Sequence, residues 1–142
     1  THTAMGIPFK VLTVSGTPYL VVGLQSGRRL CYAWPRDTHD EGLSYMGVNQ
    51  YTRKWERITT YGGKLVENIT QAVARDVLAT SLRHIEAAGF EIVTLVHDEV
   101  VTVTNDPALT DQLLSQLLAT VPPWAEGLPL AAEGYTAERY RK

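Results

Sequence analysis

The stretch KLVENITQAVARDVLATSLRHIEAA, residues 64–88, decides how the rest of this chain is read. Its apolar residues Leu65, Ile69, Val73, Val77, Leu82 and Ile85 recur every three to five positions. An α-helix completes a turn in 3.6 residues, so this spacing forms one stripe that faces a core. Gly62-Gly63 breaks the pattern before it, and Gly89 is a natural C-terminal stop. At about 1.5 Å per residue the helix is nearly 40 Å long. Lys64, Asn68, Gln71 and Arg75 follow one another at i, i+4, i+7 and i+11. They form a narrow polar stripe on a different face.

Upstream, residues 9–14, 19–24 and 28–34 read as strands, separated by Ser15-Gly16-Thr17-Pro18 and Gln25-Ser26-Gly27. Short β-rich runs split by Gly and Pro indicate an antiparallel meander. Residues 35–42 are polar and read as a loop. Residues 43–48 and 54–60 read as two further strands, with Asn49-Gln50 near the bend. Downstream, residues 91–96 and 100–104 read as strands around a tight turn at His97-Asp98-Glu99. Pro107 stands at an expected helix N-terminus, with Asn105 or Asp106 as cap. Leu109, Leu113, Leu114, Leu117 and Leu118 make that helix amphipathic up to Thr120, and Val121-Pro122-Pro123-Trp124 ends it. Residues 128–134 read as a last strand. The expected class is α+β: an antiparallel sheet of meander and His-Asp-Glu hairpin, with one long and one shorter helix packed on one face.

The 142 residues suffice for one domain with one core. With 44% hydrophobic and 20% charged residues, the composition is that of a soluble globular protein. No apolar stretch approaches the roughly 20 residues of a membrane span, and no signal peptide opens the chain. Cys31 is the only cysteine, which excludes an internal disulfide; nothing points to an oxidising compartment, and a reducing, cytoplasmic setting is the default expectation. The chain starts at Thr1 rather than Met, as expected of a piece cut from something longer. Its net charge of −2 gives no global positive field. Local basic groups exist at Arg28-Arg29, at Arg53-Lys54 with Arg57 and Lys64, and at Arg139 with Arg141-Lys142. Such groups are either solvated surface or contacts to a phosphate backbone.

Three polar residues at the centre of a strand-forming run need a reason. Carboxylates at a hairpin tip suit a hard cation such as magnesium, which prefers oxygen ligands; Asp is also an ordinary turn former. If strand geometry persists through the triplet, Asp98 and Glu99 project to opposite faces. A metal site then needs a further carboxylate, and the spacing of Asp37, Asp40 and Glu41 does not recommend them. His2, His39, His84 and His97 are too scattered for zinc, and neither phosphate-loop motif occurs. Gly62-Gly63 before a helix fits phosphate binding or a plain turn. Trp34, Trp55 and Trp124 read as partly buried indoles, Tyr45, Tyr51 and Tyr61 as packing rather than base-stacking residues, and His84 as surface.

TYGGKLVENITQAVARDVLATSL, followed closely by LVHDEVV, resembles the C-terminal part of family A (DNA polymerase I-like) DNA polymerases, particularly the phage branch. LQSGRRLCYAWP, YMGVNQYTRKWERITTYGGKLVENITQ and PPWAEGLPLAAEGYTAERYRK are similar to that branch as well. The likeness spans nearly the whole chain apart from residues 1–8, which are expected to be disordered or extraneous. The resemblance implies a palm portion in which Asp98 is one of two metal-binding aspartates. Two magnesium ions held by the pair would activate the primer 3′-hydroxyl and steady the pyrophosphate. It implies that Glu99 tunes the site or meets the primer end, and that His97 lies near the primer-terminal phosphate or sugar. It implies that the long helix lies along the DNA minor groove, with Gln71 as the family's minor-groove glutamine. The family's asparagine and arginine positions hold Glu67 and Gly63 here, with Asn68 and Lys64 one step displaced.

The family's Asp-x-Ser-x-x-Glu strand, which carries the other aspartate, is absent from these 142 residues. Arg53, Arg57 and Tyr61-Gly62 echo the nucleotide-gripping fingers helix, but strand formers dominate there and Arg57 replaces the lysine. The implied partners are primer–template DNA, deoxynucleoside triphosphates in the whole enzyme, and the missing palm, fingers and thumb portions. The isolated chain is expected to be inactive and, with its docking surfaces open, to self-associate. Two other readings are a non-catalytic DNA-binding module derived from a palm and an unrelated metal-dependent phosphohydrolase using Asp98.

Overall fold

The computed structural model describes residues 2–4, 6–40 and 42–140. These form eight strands and two α-helices, in the order β1 (His2–Ala4), β2 (Ile7–Val14), β3 (Thr17–Gly23), β4 (Arg29–Thr38), β5 (Gly42–Val48), β6 (Trp55–Thr60), α1 (Gly62–Ala87), β7 (Glu91–Val96), β8 (Glu99–Val103) and α2 (Asp111–Leu118). The class is α+β, as expected. The chain divides into two compact units, Thr1–Val73 and Ala74–Lys142, and α1 contributes to both.

In the first unit β1 to β6 form one sheet in sequence order, with every neighbour antiparallel. This is the meander, and it includes a strand, His2–Ala4, within the first eight residues. Its core joins Val22, Leu24 and Tyr32 of the sheet region to Leu65, Ile69 and Ala72 of α1. Burying an aliphatic side chain such as Val22 contributes about 1.5–3 kcal/mol, which is what holds the helix on this face. The edge of the Tyr32 ring meets Tyr45, with centroids 4.9 Å apart and planes at 71°.

Two expectations in this unit are corrected. Residues 35–38 belong to β4 rather than a loop: Arg36, Asp37 and Thr38 pair with Ser44, Leu43 and Gly42. A shift in register between Ala33 and Arg36, with Trp34 at φ 50°, lets the strand continue through Pro35. Arg57 fastens this bulge by donating to the Trp34 carbonyl and to Ser44 Oγ, each at 3.2 Å. Packing also does not cover Tyr51 and Tyr61, which are 95% and 68% exposed, whereas Tyr45 is half-buried.

In the second unit β7 and β8 form a separate two-stranded sheet. α1 ends as its sequence indicates. Gly89 takes φ 98°, its N–H donates to the Glu86 carbonyl, and the Phe90 N–H donates to the Ile85 carbonyl. This is a Schellman cap, and the apolar pair that accompanies it, Ile85 and Phe90, is buried. Ser81 Oγ lies 3.2 Å from the Leu118 carbonyl and ties α1 to the end of α2.

The expected cap at Asn105 or Asp106 is also corrected. The cap of α2 is Thr110, whose hydroxyl accepts from the Leu113 N–H at 3.2 Å. Asp106 instead closes a turn onto the Ala108 N–H at 2.9 Å, so Pro107 lies in that turn. The strand expected over residues 128–134 does not form. Pro129 withholds an N–H, and the segment passes beside α2: a side chain on Gly134 would meet Ser115 Oγ at 3.1 Å.

Candidate metal-binding turn and nucleic-acid interface

The His-Asp-Glu triplet resolves into two different environments. Val96 pairs with Glu99, so His97 and Asp98 alone make the hairpin loop, and Glu99 opens β8. A two-residue hairpin loop most often reverses the chain with positive φ at one or both positions, commonly through glycine. Here His97 takes that role at φ 56°, in the left-handed region that histidine visits more readily than most residues. A bulge at Val93, where the register shifts between Ile92 and Thr94, lies lower in the same hairpin.

Asp98 is exposed, and its carboxylate makes no hydrogen bond or ion pair among the described residues. Glu99 is engaged: Tyr140 Oη donates to Glu99 Oε2 at 3.0 Å. That hydrogen bond, followed by desolvation and the Glu99 charge, holds the Tyr140 phenol above its ordinary range. His97 is exposed. Asp98 has the hard oxygen chemistry that magnesium takes. Among the described residues no group of three or more His, Cys, Asp and Glu forms a metal cluster. The loop acids Asp37 and Asp40 are exposed, and Asp40 lies 3.6 Å from the His39 ring. Glu41, Arg141 and Lys142 lie outside the described residues.

The polar stripe on α1 is less uniform than its spacing suggests. Lys64, Gln71 and Arg75 are exposed, whereas Asn68 is half-buried and donates from Nδ2 to Tyr32 Oη at 3.2 Å. Asn68 flanks the core-facing stripe, and the sheet claims it. Burial is the main force raising the Tyr32 phenol above its ordinary range; the Asn68 hydrogen bond opposes it, and Tyr45 adds to it.

Glu67 enters this surface. Its Oε2 lies 2.8 Å from Lys64 Nζ and its Oε1 accepts from Gln71 Nε2 at 3.3 Å. The Glu67 hydrogen bond and charge hold the Lys64 ammonium above its ordinary range. At Gly63 a Cβ would come within 2.8 Å of the Tyr61 ring, so that ring occupies the space a longer side chain would use. The stretch with Arg53 and Arg57 is not helical: Arg53 has φ 58° in the β5–β6 turn and Arg57 lies in β6.

Sequence reasoning missed Tyr140 as the partner of Glu99, because 41 positions separate them. It also missed the engagement of Glu67, although its i+3 and i−4 relation to Lys64 and Gln71 was a readable signal. Among the described residues no helix is long and apolar enough to cross a membrane.

No family model and no solved structure matches the chain. A protein of Bacillus phage SP02 named DNA polymerase is 44% identical to it over 130 residues, covering 87% of this chain and 20% of the relative. The chain thus spans about one fifth of the length of the curated relative it matches. The similarity extends along almost all of these residues, well beyond the His-Asp-Glu turn.

Proposed function

We propose that this chain is the C-terminal palm portion of a phage-type family A DNA polymerase, serving template-directed transfer of deoxynucleotides to a primer 3′ end. The observation that carries this reading is an exposed carboxylate, Asp98, unengaged among the described residues and held on a two-residue turn in a chain so similar to a phage DNA polymerase. The hairpin fixes the backbone on both sides of Asp98, which limits the conformational freedom a metal ligand would have to surrender.

In this reading Asp98 supplies one of the two aspartates that hold magnesium, and the other comes from polypeptide beyond these residues. Bound magnesium supplies charge stabilisation to the attacking and leaving oxygens of phosphoryl transfer. Glu99, oriented by Tyr140, adjusts the field beside Asp98 or meets the primer end. His97 lies near the primer-terminal phosphate or sugar. Gln71, Lys64 and Arg75 present hydrogen-bond donors to duplex DNA from the exposed side of α1. Asn68 serves that face from behind, through its bond to Tyr32.

The test is a chimera in which this chain replaces the matching segment of the Bacillus phage SP02 protein. Primer extension by the chimera is expected. Asp98→Ala should lower its rate by roughly a thousandfold, equivalent to about 4 kcal/mol of lost transition-state stabilisation. A folded Asp98→Ala chimera that extends primers at the parental rate would refute the assignment.

A further inference from the structure

We infer that Glu67 is the internal counter-ion of Lys64 on the DNA-contacting face of α1, clamping Lys64 and Gln71 and cancelling the positive charge that Lys64 would otherwise present to a phosphate backbone there. This inference rests on the DNA-contacting reading of α1 given above.

The geometry assigns both oxygens of one carboxylate. Oε2 takes the Lys64 ammonium at 2.8 Å, and Oε1 takes the Gln71 amide nitrogen at 3.3 Å. A carboxylate only accepts hydrogen bonds, so the end of the Gln71 amide that faces Glu67 is fixed by chemistry. All three residues are exposed and lie within two turns of one helix. The arrangement therefore belongs to a surface rather than to the packing of the core. Asn68, one helical turn on from Lys64, is held by the sheet through Tyr32. With Lys64 neutralised, the Lys64–Glu67–Gln71 patch carries no net charge. A duplex laid on it is met by oriented hydrogen-bonding groups, without the counterion release that a free lysine would bring.

The charge count predicts a salt dependence. Freeing Lys64 to neutralise one phosphate should steepen the slope of log K against log salt concentration by about 0.9, and tighten binding roughly eightfold at about 100 mM salt. The experiment uses the 142-residue chain, a fluorescein-labelled primer–template duplex and fluorescence anisotropy between about 50 and 200 mM salt. Glu67→Gln keeps the size of the side chain and its helix preference while removing the charge. The expected result is tighter binding with the steeper slope, and a return toward the parental slope when Lys64→Met is added to Glu67→Gln.

Binding by both proteins with the same slope and affinity would overturn the counter-ion role and leave the DNA-contacting reading standing. Weaker binding by Glu67→Gln would also overturn it, because Glu67 would then be a favourable contact in its own right. Absence of duplex binding by the parent and by Glu67→Gln would overturn the reading of α1 as a DNA-contacting helix, and this inference with it. Circular dichroism on each variant separates loss of binding from loss of fold.

Discussion

Replacing Asn68 by alanine tests whether the sheet or the exposed surface owns that side chain. The variant loses the hydrogen bond from Asn68 Nδ2 to Tyr32 Oη, 3.2 Å long and next to a hydroxyl on a residue only 8% exposed. A neutral hydrogen bond of this kind contributes about 1 kcal/mol net. Alanine, however, is the better helix former, and asparagine in a helix interior costs about 0.6 kcal/mol relative to it. The two effects nearly cancel, so the single variant should lose only about 0.4 kcal/mol, which is too little to interpret alone. A double-mutant cycle with Tyr32→Phe cancels the helix-propensity contribution, because that contribution is the same in both backgrounds. Urea unfolding followed by circular dichroism should give a coupling energy of about 0.5–1.5 kcal/mol. The same proteins in the duplex-binding assay should show a smaller loss of affinity for Asn68→Ala than for Gln71→Ala. Coupling below about 0.3 kcal/mol, within the scatter of independent sites, would refute the bond. A larger affinity loss at Asn68 than at Gln71 would refute the claim that Asn68 faces the sheet.

Ile85 is fully buried beside the helix cap in the second unit, so Ile85→Ala should cost about 2–5 kcal/mol, measured by chemical denaturation. Alkaline pH should weaken the first unit through Tyr32. Its folded pKa is raised, so the unfolded chain gives up the proton first, and the stabilisation is complete below about pH 10. It then falls as pH rises from the unfolded value through the higher folded value, and Tyr32→Phe should flatten that fall in a pH series of unfolding curves.

Local rules carried much of the fold. The meander, the long helix and its glycine stop were legible because each is specified by neighbours in sequence: apolar residues at the helical period, turn residues between strands, and a Gly that tolerates φ 98°. The same locality explains the misreadings. Polar residues 36–38 look like loop, yet their partners on β5 supply the hydrogen bonds that make them strand. Residues 128–134 look like strand, yet among the described residues no neighbouring strand receives them, and Gly134 lies against α2 instead. An isolated strand has no ladder, so alternation alone cannot make one.

The candidate site divides in the same way. The sequence by itself determined that a carboxylate would stand at a hairpin tip and that polar side chains would line one side of α1, because turn chemistry and helical period are local. Only the tertiary structure decided which of those side chains are available. Asn68 is tied through Nδ2 to Tyr32, 36 positions away, and one carboxylate oxygen of Glu99 to Tyr140, 41 positions away, while Asp98 is left free among the described residues. Hydrogen-bond partners distant in the chain are set by how the backbone returns on itself, and no spacing along the sequence encodes that distance.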